Sequence, residues 1–188
     1  MEEFTRNKSR IDKCGKGNII NIIKMEEDLM KREIFSKVHS ATKHPARIAL
    51  AIVKDKDDKY NMITLEWFMK TSIKPPMFAI SIGHTRYSHE CLQNFRFFNL
   101  CLPSKEMIAV SKICGSLSGR DIDKFEKTNV EWFTGRLAKL PVLKNAKANF
   151  ECKVITQVRS GDHTIFVGEV KYSWLNEDKE VQLVKDLL

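Results

Sequence analysis

Residues 147–174 read KANFECKVITQV, RSGD and HTIFVGEVKYSW in succession, and this stretch decides the fold class. Over residues 148–154, Ala, Phe, Cys and Val alternate with Asn, Glu and Lys. This is the period of two that places successive side chains on opposite faces of a strand. The Arg-Ser-Gly-Asp tetrapeptide in the middle has the composition of a tight turn. The stretch therefore predicts two long antiparallel strands, residues 147–158 and 163–174.

Shorter strand signals precede this pair. Apolar runs bounded by turn residues predict strands at residues 47–53, 60–68, 77–82 and 97–102. The predicted short helices are residues 88–94 and 104–113, with Ser88 and Ser104 as N-caps, and residues 121–127. Because these helices are inserted among the strands instead of alternating with them, the pattern favours an antiparallel barrel. The expected fold is mainly β with inserted short helices.

The beginning of the chain differs from the rest. Residues 1–35 are polar, mixed in charge and poor in aromatic residues. We expect an N-terminal extension of unknown role there, followed by a single domain over residues 36–188, since 188 residues suit one domain.

The cysteine pattern argues against a disulfide framework and against a zinc or iron–sulfur site. No Cys-x-x-Cys pair occurs, and the number of cysteines is odd. The five are predicted to be reduced, and most of them buried: Cys14, Cys91, Cys101, Cys114 and Cys152. His84 and His89 are rejected as a metal pair, because a spacing of five residues places two side chains on different faces of a helix.

The chain is basic, with a formal net charge of +8 and an isoelectric point near 9.2. Its lysines and arginines are scattered beside Asp and Glu and form no stripe interleaved with aromatic residues, so we expect no nucleic-acid partner. No apolar run approaches the roughly 20 residues that cross a bilayer, and the first residues lack the apolar core of a secretory signal. We expect a cytoplasmic protein with no membrane contact.

Several motifs occur in a characteristic order. They are NMITLEWF at 61–68, PPMFAISI at 75–82, RYSHE at 86–90, FFN at 97–99, CGSLSGRDIDKF at 114–125, NFEC at 149–152 and GDHTIFVGEV at 161–170. Together, over residues 45–170, they resemble the flavin reductase-like family, which includes the flavoredoxins. The resemblance implies an FMN-binding split β-barrel that works as a homodimer, with its cofactor sites near the subunit interface.

The resemblance also implies which residues border FMN. The predicted cofactor-binding residues are Asn61, Met62, Thr64, Leu65, Trp67, Ser81, Arg86, Ser88, Asn99 and Lys124. His163 is the predicted catalytic residue, and no metal ligand is predicted.

Ordinary structural roles stay open for the same residues. Arg86 and Ser88 fit either a phosphate site at a helix N-terminus or a surface arginine beside a simple helix cap. Asn99 needs a partner in its apolar strand, which is either the flavin or a turn backbone. Lys124 either lies at the entrance beside the flavin or is solvated, and His163 either acts near the flavin or caps its turn.

The function implied by the resemblance is NAD(P)H-dependent reduction of flavin, or of a ferric or other acceptor through bound FMN. One alternative is a flavoredoxin-type electron carrier that is reduced by a partner protein. A second alternative, a basic nucleic-acid-binding module, rests on charge alone. Two features depart from the family pattern: Glu66 stands where a small residue is usual, and the tail at residues 185–188 lacks the usual Gly- and Tyr-rich ending.

Overall fold

The computed structural model describes Ile34 and residues 46–187. Apart from Ile34, the predicted extension (residues 1–35) and its boundary with residues 36–188 lie outside the described residues. Both stay predictions.

Within residues 46–187 the chain is built mainly from strands. They are β1 (Ala49–Lys54), β2 (Tyr60–Leu65), β3 (Phe68–Ile73), β4 (Pro76–Gly83), β5 (Phe97–Leu102), β6 (Trp132–Thr134), β7 (Pro141–Leu143), β8 (Ala148–Ser160) and β9 (His163–Leu175). The α-helices described are α1 (Tyr87–Asn94), α2 (Ile108–Ser116) and α3 (Lys124–Thr128). Lys105–Met107 and Val184–Leu187 form short 3-10 turns. The predicted mainly β fold with inserted short helices is confirmed.

Seven strands form one antiparallel sheet in the order β2-β1-β5-β8-β9-β4-β3, and β6 pairs with β7 separately. The two edge strands of the large sheet, β2 and β3, are consecutive in the chain and are separated only by Glu66 and Trp67. Because two residues span less than about 12 Å, the sheet must curl until its two edges approach each other at this connection.

One hydrophobic core fills the inside of the curled sheet. It brings together Leu65 of β2, Ile80 of β4, Phe98 of β5 and Phe166 of β9, and Leu92 of α1 packs against them. These side chains come from both edges and from the middle of the sheet, so a single core stabilises the whole barrel.

Strand β1 is buried on both of its faces. Its five apolar residues, Ala49 to Val53, are all fully buried. Ala49, Ala51 and Val53 belong to the barrel core, whereas Leu50 and Ile52 pack with α2 and β7 in a second cluster on the outside. An uninterrupted apolar run is typical of a strand that is covered on both sides.

The predicted strand over residues 60–68 is in fact two strands. The chain turns sharply after Leu65, where the backbone N–H of Phe68 donates to the carbonyl of Glu66 at 3.0 Å. Phe68 then begins β3, which pairs with β4. The alternation of side chains continues across the turn, so the break was not visible in the sequence pattern.

The predicted N-cap Ser88 is corrected: Arg86 is the N-cap of α1, and Ser88 lies within its first turn. Ser104 does occupy the N-cap position of the 3-10 turn that leads into α2, but it makes no side-chain capping hydrogen bond. Asp123 does cap α3, because its carboxylate accepts from the backbone N–H groups of Phe125 and Glu126.

The long hairpin of β8 and β9 is confirmed, but the polar side chains of β8 are not all solvent-facing. Asn149 and Glu151 are 3% and 1% exposed. The Glu151 carboxylate accepts from the backbone N–H groups of Arg136 and Leu137 and from the indole of Trp174, so its burial is compensated.

Four cysteines are described, and each is buried and free of disulfides: Cys91, Cys101, Cys114 and Cys152. Burial raises the pKa of Cys91 to about 12 and that of Cys114 to about 11, so these thiols are un-ionised at neutral pH. Cys14 lies outside the described residues. Across residues 46–187, no group of three or more His, Cys, Asp or Glu side chains is placed to hold a metal ion. None of the described helices is long and apolar enough to cross a membrane.

Candidate functional site

Two adjoining cavities open where the edges of the sheet meet. The larger, the loop cavity, has a volume of about 300 Å³ and is lined by Ile63, Thr64, residues 85–88, residues 114–120 and Lys124. The smaller, the strand cavity, has a volume of about 170 Å³ and is lined by residues 63–67, residues 81–83, Arg86 and His163. Ile63, Thr64 and Arg86 line both, so one ligand could extend from one cavity into the other.

The loop cavity is electropositive. Arg86, Arg120 and Lys124 contribute three cationic side chains, and none of the described residues that line the cavity is an Asp or Glu. The hydroxyls of Ser88 and Ser118 accept hydrogen bonds from Asn61 and from the backbone N–H of Arg120, so their own protons remain to be donated, whereas the Ser116 hydroxyl donates to the Lys112 carbonyl. Cations and hydroxyls that converge without a competing carboxylate favour a phosphate or another compact anion.

Lys124 joins three elements around this cavity. It is 3% exposed, and its ammonium group donates to the carbonyl of Met62 on β2 at 2.7 Å and to that of Cys114 on α2 at 3.0 Å. Burial lowers the pKa of Lys124; the nearby Cys114 opposes this shift and the charge of Arg86 adds to it. The bonded lysine therefore holds α3 and the end of α2 against β2.

The loop before α3 is held against the barrel. Gly119 lies so close to β2 that a Cβ atom there would collide with the Asn61 side chain. The guanidinium of Arg120 pairs with Glu90 of α1 at 3.1 Å and lies 5.2 Å from the ring centre of Tyr87. A glycine is required for this close approach, and Arg120 fixes the far side of the loop.

The strand cavity has a wall of aromatic rings. The ring centres of Trp67 and His163 are 4.7 Å apart, and the Trp67 side chain is half exposed. The Nδ1 atom of His163 lies 2.7 Å from a carboxylate oxygen of Asp162, which orients the imidazole. The backbone N–H of Ser81 donates to the carbonyl of Trp67 at 2.9 Å and holds the connection between β2 and β3 in place.

The structure brings most of the predicted site residues together. Eight of them line one or both cavities: Thr64, Leu65, Trp67, Ser81, Arg86, Ser88, Lys124 and His163. Asn61 lies next to the loop cavity, where its side-chain amide donates to the Ser88 hydroxyl at 2.8 Å. This grouping places the predicted residues at one site, and their contacts with a cofactor stay a prediction.

Two predicted residues lie elsewhere. The Met62 side chain is fully buried in the outer hydrophobic cluster, on the face of β2 opposite to Ile63. Only the Met62 carbonyl contacts a residue of the site, because it accepts a hydrogen bond from Lys124. The Asn99 side chain donates to the carbonyl of Pro141 at 2.7 Å and to the Asn149 side chain at 3.2 Å, and it lines neither cavity. Its backbone acceptor belongs to strand β7, so the alternative of a backbone partner is right, but that partner is not in a turn.

Some residues at the site were not among the predicted ones. Gly83 ends β4 and lines the strand cavity, and Thr85 lies in the turn between β4 and α1 and lines the loop cavity. A strand that leads through a short turn into a helix is the usual framework for binding an anion at a helix N-terminus. The predicted transition from a strand to a helix could therefore have identified Gly83 and Thr85 as site residues, whereas their residue types could not.

Residues 41–186 match the family model described as flavin reductase like domain. An uncharacterized protein from Archaeoglobus fulgidus is 34% identical over 113 residues, which are 60% of this chain and 64% of that protein. The NADH-dependent FAD reductase of Streptomyces globisporus is 28% identical over 109 residues, 57% of this chain and 59% of that protein. The chain thus spans about three fifths of these two relatives.

A solved structure shows the same architecture. The crystal structure of an FMN-binding protein from Thermus thermophilus with bound 1-cyclohex-2-enone superposes with a TM-score of 0.66. The two chains are 28% identical, and the match covers 73% of this chain and 74% of the other. The predicted split-barrel class is confirmed.

Replacement of Lys124 is expected to loosen the site. Lys124→Met should lower the free energy of unfolding by about 2 kcal/mol, because two buried carbonyls lose a charged donor. Lys127→Met, on the exposed side of the same helix, should change it by less than about 0.5 kcal/mol. Urea unfolding measures both variants. Equal losses would contradict the role of Lys124 in joining the three elements.

Proposed function

The chain belongs to the family described as flavin reductase like domain, and we propose its function on that basis. It is an oxidoreductase of that family, and we infer that it binds FMN across the loop and strand cavities and uses NAD(P)H as electron donor. The observation that carries the proposal is the continuity of a cation-lined cavity with one walled by aromatic rings.

The loop cavity suits the phosphate end of the cofactor. Arg86, Arg120 and Lys124 supply positive charge, and Arg86 stands at the N-terminus of α1, where the helix dipole also favours an anion. The Ser88 hydroxyl lines the same cavity. The donor set therefore fits a monophosphate ester, and these residues would hold it.

The strand cavity suits the flat ring system. Residues 63–67 line it, and the rings of Trp67 and His163 form one side. FMN, when bound, supplies the capacity to accept and donate two electrons, which the side chains of the protein lack. The chain's own residues orient the ring, limit access of water and fix its edge.

His163 is the residue that we assign to proton handling. Its Nδ1 atom is held by Asp162, and the ring lines the strand cavity, so that Nε2 is the nitrogen left for a group bound there. A histidine held through one nitrogen can accept a proton from a bound group, or donate one to it, through the other nitrogen. His163 would thus stabilise charge at the edge of the bound ring.

The source of the electrons distinguishes the proposed NAD(P)H-dependent reductase from a flavoredoxin-type electron carrier. The relative from Streptomyces globisporus is named as an NADH-dependent FAD reductase, which supports a nicotinamide donor for this chain. A flavoredoxin-type carrier would instead take its electrons from a partner protein. The charge pattern around the loop cavity fits a small anion and gives no reason to prefer the nucleic-acid alternative.

The electron donor is tested with a visible absorption spectrum. The protein loaded with FMN should show flavin absorption that bleaches on anaerobic addition of NADH or NADPH. Bleaching by dithionite alone would favour the carrier. A protein that stays colourless after incubation with FMN, and also with FAD, would contradict the proposed function altogether.

Phosphate recognition is tested at Arg86. Arg86→Gln should weaken FMN binding about 10- to 100-fold, since a hydrogen bond between charged groups is lost. It should leave the affinity for riboflavin, which has no phosphate, nearly unchanged. Lys153→Gln on the exposed side of β8 is the matched control. Flavin fluorescence titration measures all three proteins, and an equal loss for FMN and riboflavin would place Arg86 outside the phosphate site.

We also propose that the chain forms a homodimer through the outer face of the sheet. Met69, Ala79 and Val167 are register partners across β3, β4 and β9, and Val158 faces Ile165 in the next row. Met69 and Val158 are 62% and 55% exposed. An apolar patch of this kind, next to the strand cavity, is typical of a subunit interface, and a second copy of the chain would cover it.

The dimer is tested by charging this patch. The unmodified chain should sediment at twice its 21.8 kDa mass, whereas Met69→Lys with Val158→Lys should sediment as a monomer. Leu175→Lys replaces an equally exposed apolar residue at the far end of β9 and should stay dimeric. Monomeric unmodified protein at micromolar concentration would refute the proposed interface.

A further inference from the structure

Two imidazole rings converge on one hydroxyl group behind the loop cavity. The Nε2 atom of His84 lies 3.2 Å from Thr164 Oγ1, and the Nε2 atom of His89 lies 2.9 Å from the same oxygen. The two ring centres are 5.0 Å apart. The spacing argument that placed these histidines on different helical faces was wrong, because only His89 belongs to α1 and His84 lies in the preceding turn.

The shared hydroxyl imposes a definite protonation pattern. A threonine hydroxyl has a single proton to donate and two lone pairs that accept. It therefore donates to one imidazole and accepts from the other. The arrangement is complete only when one Nε2 is bare and the other carries a proton, which requires at least one neutral ring. Two imidazolium rings would both donate, repel each other and leave the threonine proton without its acceptor.

These contacts surround Arg86. His84 precedes it by two residues and His89 follows it by three, and Thr164 joins both to β9. The backbone N–H of His84 also donates to the carbonyl of Asp162 at 2.9 Å, and that of His89 to the carbonyl of Arg86 at 2.9 Å. The turn that presents Arg86 to the loop cavity is thus fixed to β9 on both sides.

We propose that Thr164, His84 and His89 form a positioning unit that sets Arg86 against the phosphate of a flavin mononucleotide and releases it in acid. The inference rests on the proposed function, in which Arg86 binds the phosphate. None of the three residues lines either cavity. They act through the turn, not by touching the ligand.

The direction of the pH effect follows from the burial of His89. Burial, and secondarily the charge of His84, lowers the pKa of His89. The neutral ring is therefore the form that the folded protein favours. The unit is intact at neutral pH, because one neutral ring is enough, and it is lost as the pH falls through the lowered pKa of His89.

Other charged groups lie on the elements packed against the pair. They are Asp162, His163, Arg159, Arg96 and Glu90. Asp162 is bonded to the His163 ring, and Glu90 is paired with Arg120. Arg96 donates to the Gln157 side chain, and Arg159 is the register partner of Thr164 across the hairpin. His163 lines the strand cavity instead of the turn.

The experiment compares Thr164→Val, which keeps the shape but removes the hydroxyl, with Thr164→Ser, which keeps the hydroxyl. FMN and riboflavin affinities are measured at pH 8 and pH 5.5. At pH 8 we expect Thr164→Val to bind FMN about fivefold more weakly than the unmodified chain, as for a lost hydrogen bond. Thr164→Ser should match the unmodified chain, and riboflavin should bind equally to all three.

The affinity measurement at acidic pH distinguishes a positioning role of Thr164 from a general loss of structure in the variant. The FMN phosphate itself takes up a proton near pH 6, but this affects all variants alike, so the ratio of affinities isolates the unit. The fivefold ratio should shrink toward one over a pH series continued below 5.5, through the lowered pKa of His89, because the unmodified chain then loses the arrangement too. A ratio that stays constant with pH, or equals one at pH 8, would overturn the inference.

A measurement on the unmodified, ligand-free protein covers the case in which Thr164→Val does not fold. Imidazole nitrogen NMR at pH 8 should show one of the two Nε2 atoms protonated and the other bare. Two rings that each average between both tautomers would refute the unit. If the rings average in this way and FMN still binds normally, only this inference is overturned. If FMN binds at no pH, the proposed function is overturned as well.

Discussion

The architecture depends on strand β1 having no face that can meet water. Its run from Ala49 to Val53 is apolar at every position, so the fold must cover both sides. The curled sheet covers one side, and α2 with β7 covers the other. The outer layer brings Lys124 and the loop before it against β2, and the candidate site lies where this layer meets the barrel.

The site combines elements that are distant in sequence. The turn before α1 supplies Arg86, the loop after α2 supplies Arg120, and α3 supplies Lys124. Three like charges in one cavity repel each other, and the structure offsets this by pairing Arg120 with Glu90 and bonding Lys124 to two carbonyls. A bound anion would remove the remaining repulsion, which is why the cavity favours a phosphate.

The strand β8 was predictable because burial on one face leaves a period of two, as in residues 148–154, and the family resemblance pointed to the segments that line the cavities. The short strands β6 and β7 were not predicted. The sharp turn at Glu66 was not predictable, since alternation continues through it. Asn99 illustrates a second limit of prediction from sequence: a polar residue in an apolar strand indicates that a hydrogen-bond partner exists, but it does not identify that partner. The convergence of His84 and His89 on Thr164 depends on a strand about 75 residues away, so spacing along the chain carried no information about it.

The separation of β2 and β3 has a consequence for how the protein folds. The hairpins β1–β2 and β3–β4 are local, but in the hydrogen-bonded order of the sheet they are joined through β5, β8 and β9, which lie between them. Pairings over long sequence separations form slowly, because the chain loses much freedom before the contacts stabilise it. The connection at Trp67 therefore reaches its final shape only when the hairpin of β8 and β9, near the end of the chain, has joined the sheet. The ability to bind a ligand there would arise in the last step of folding, so a chain interrupted before β9 would lack the site however well its first half had folded.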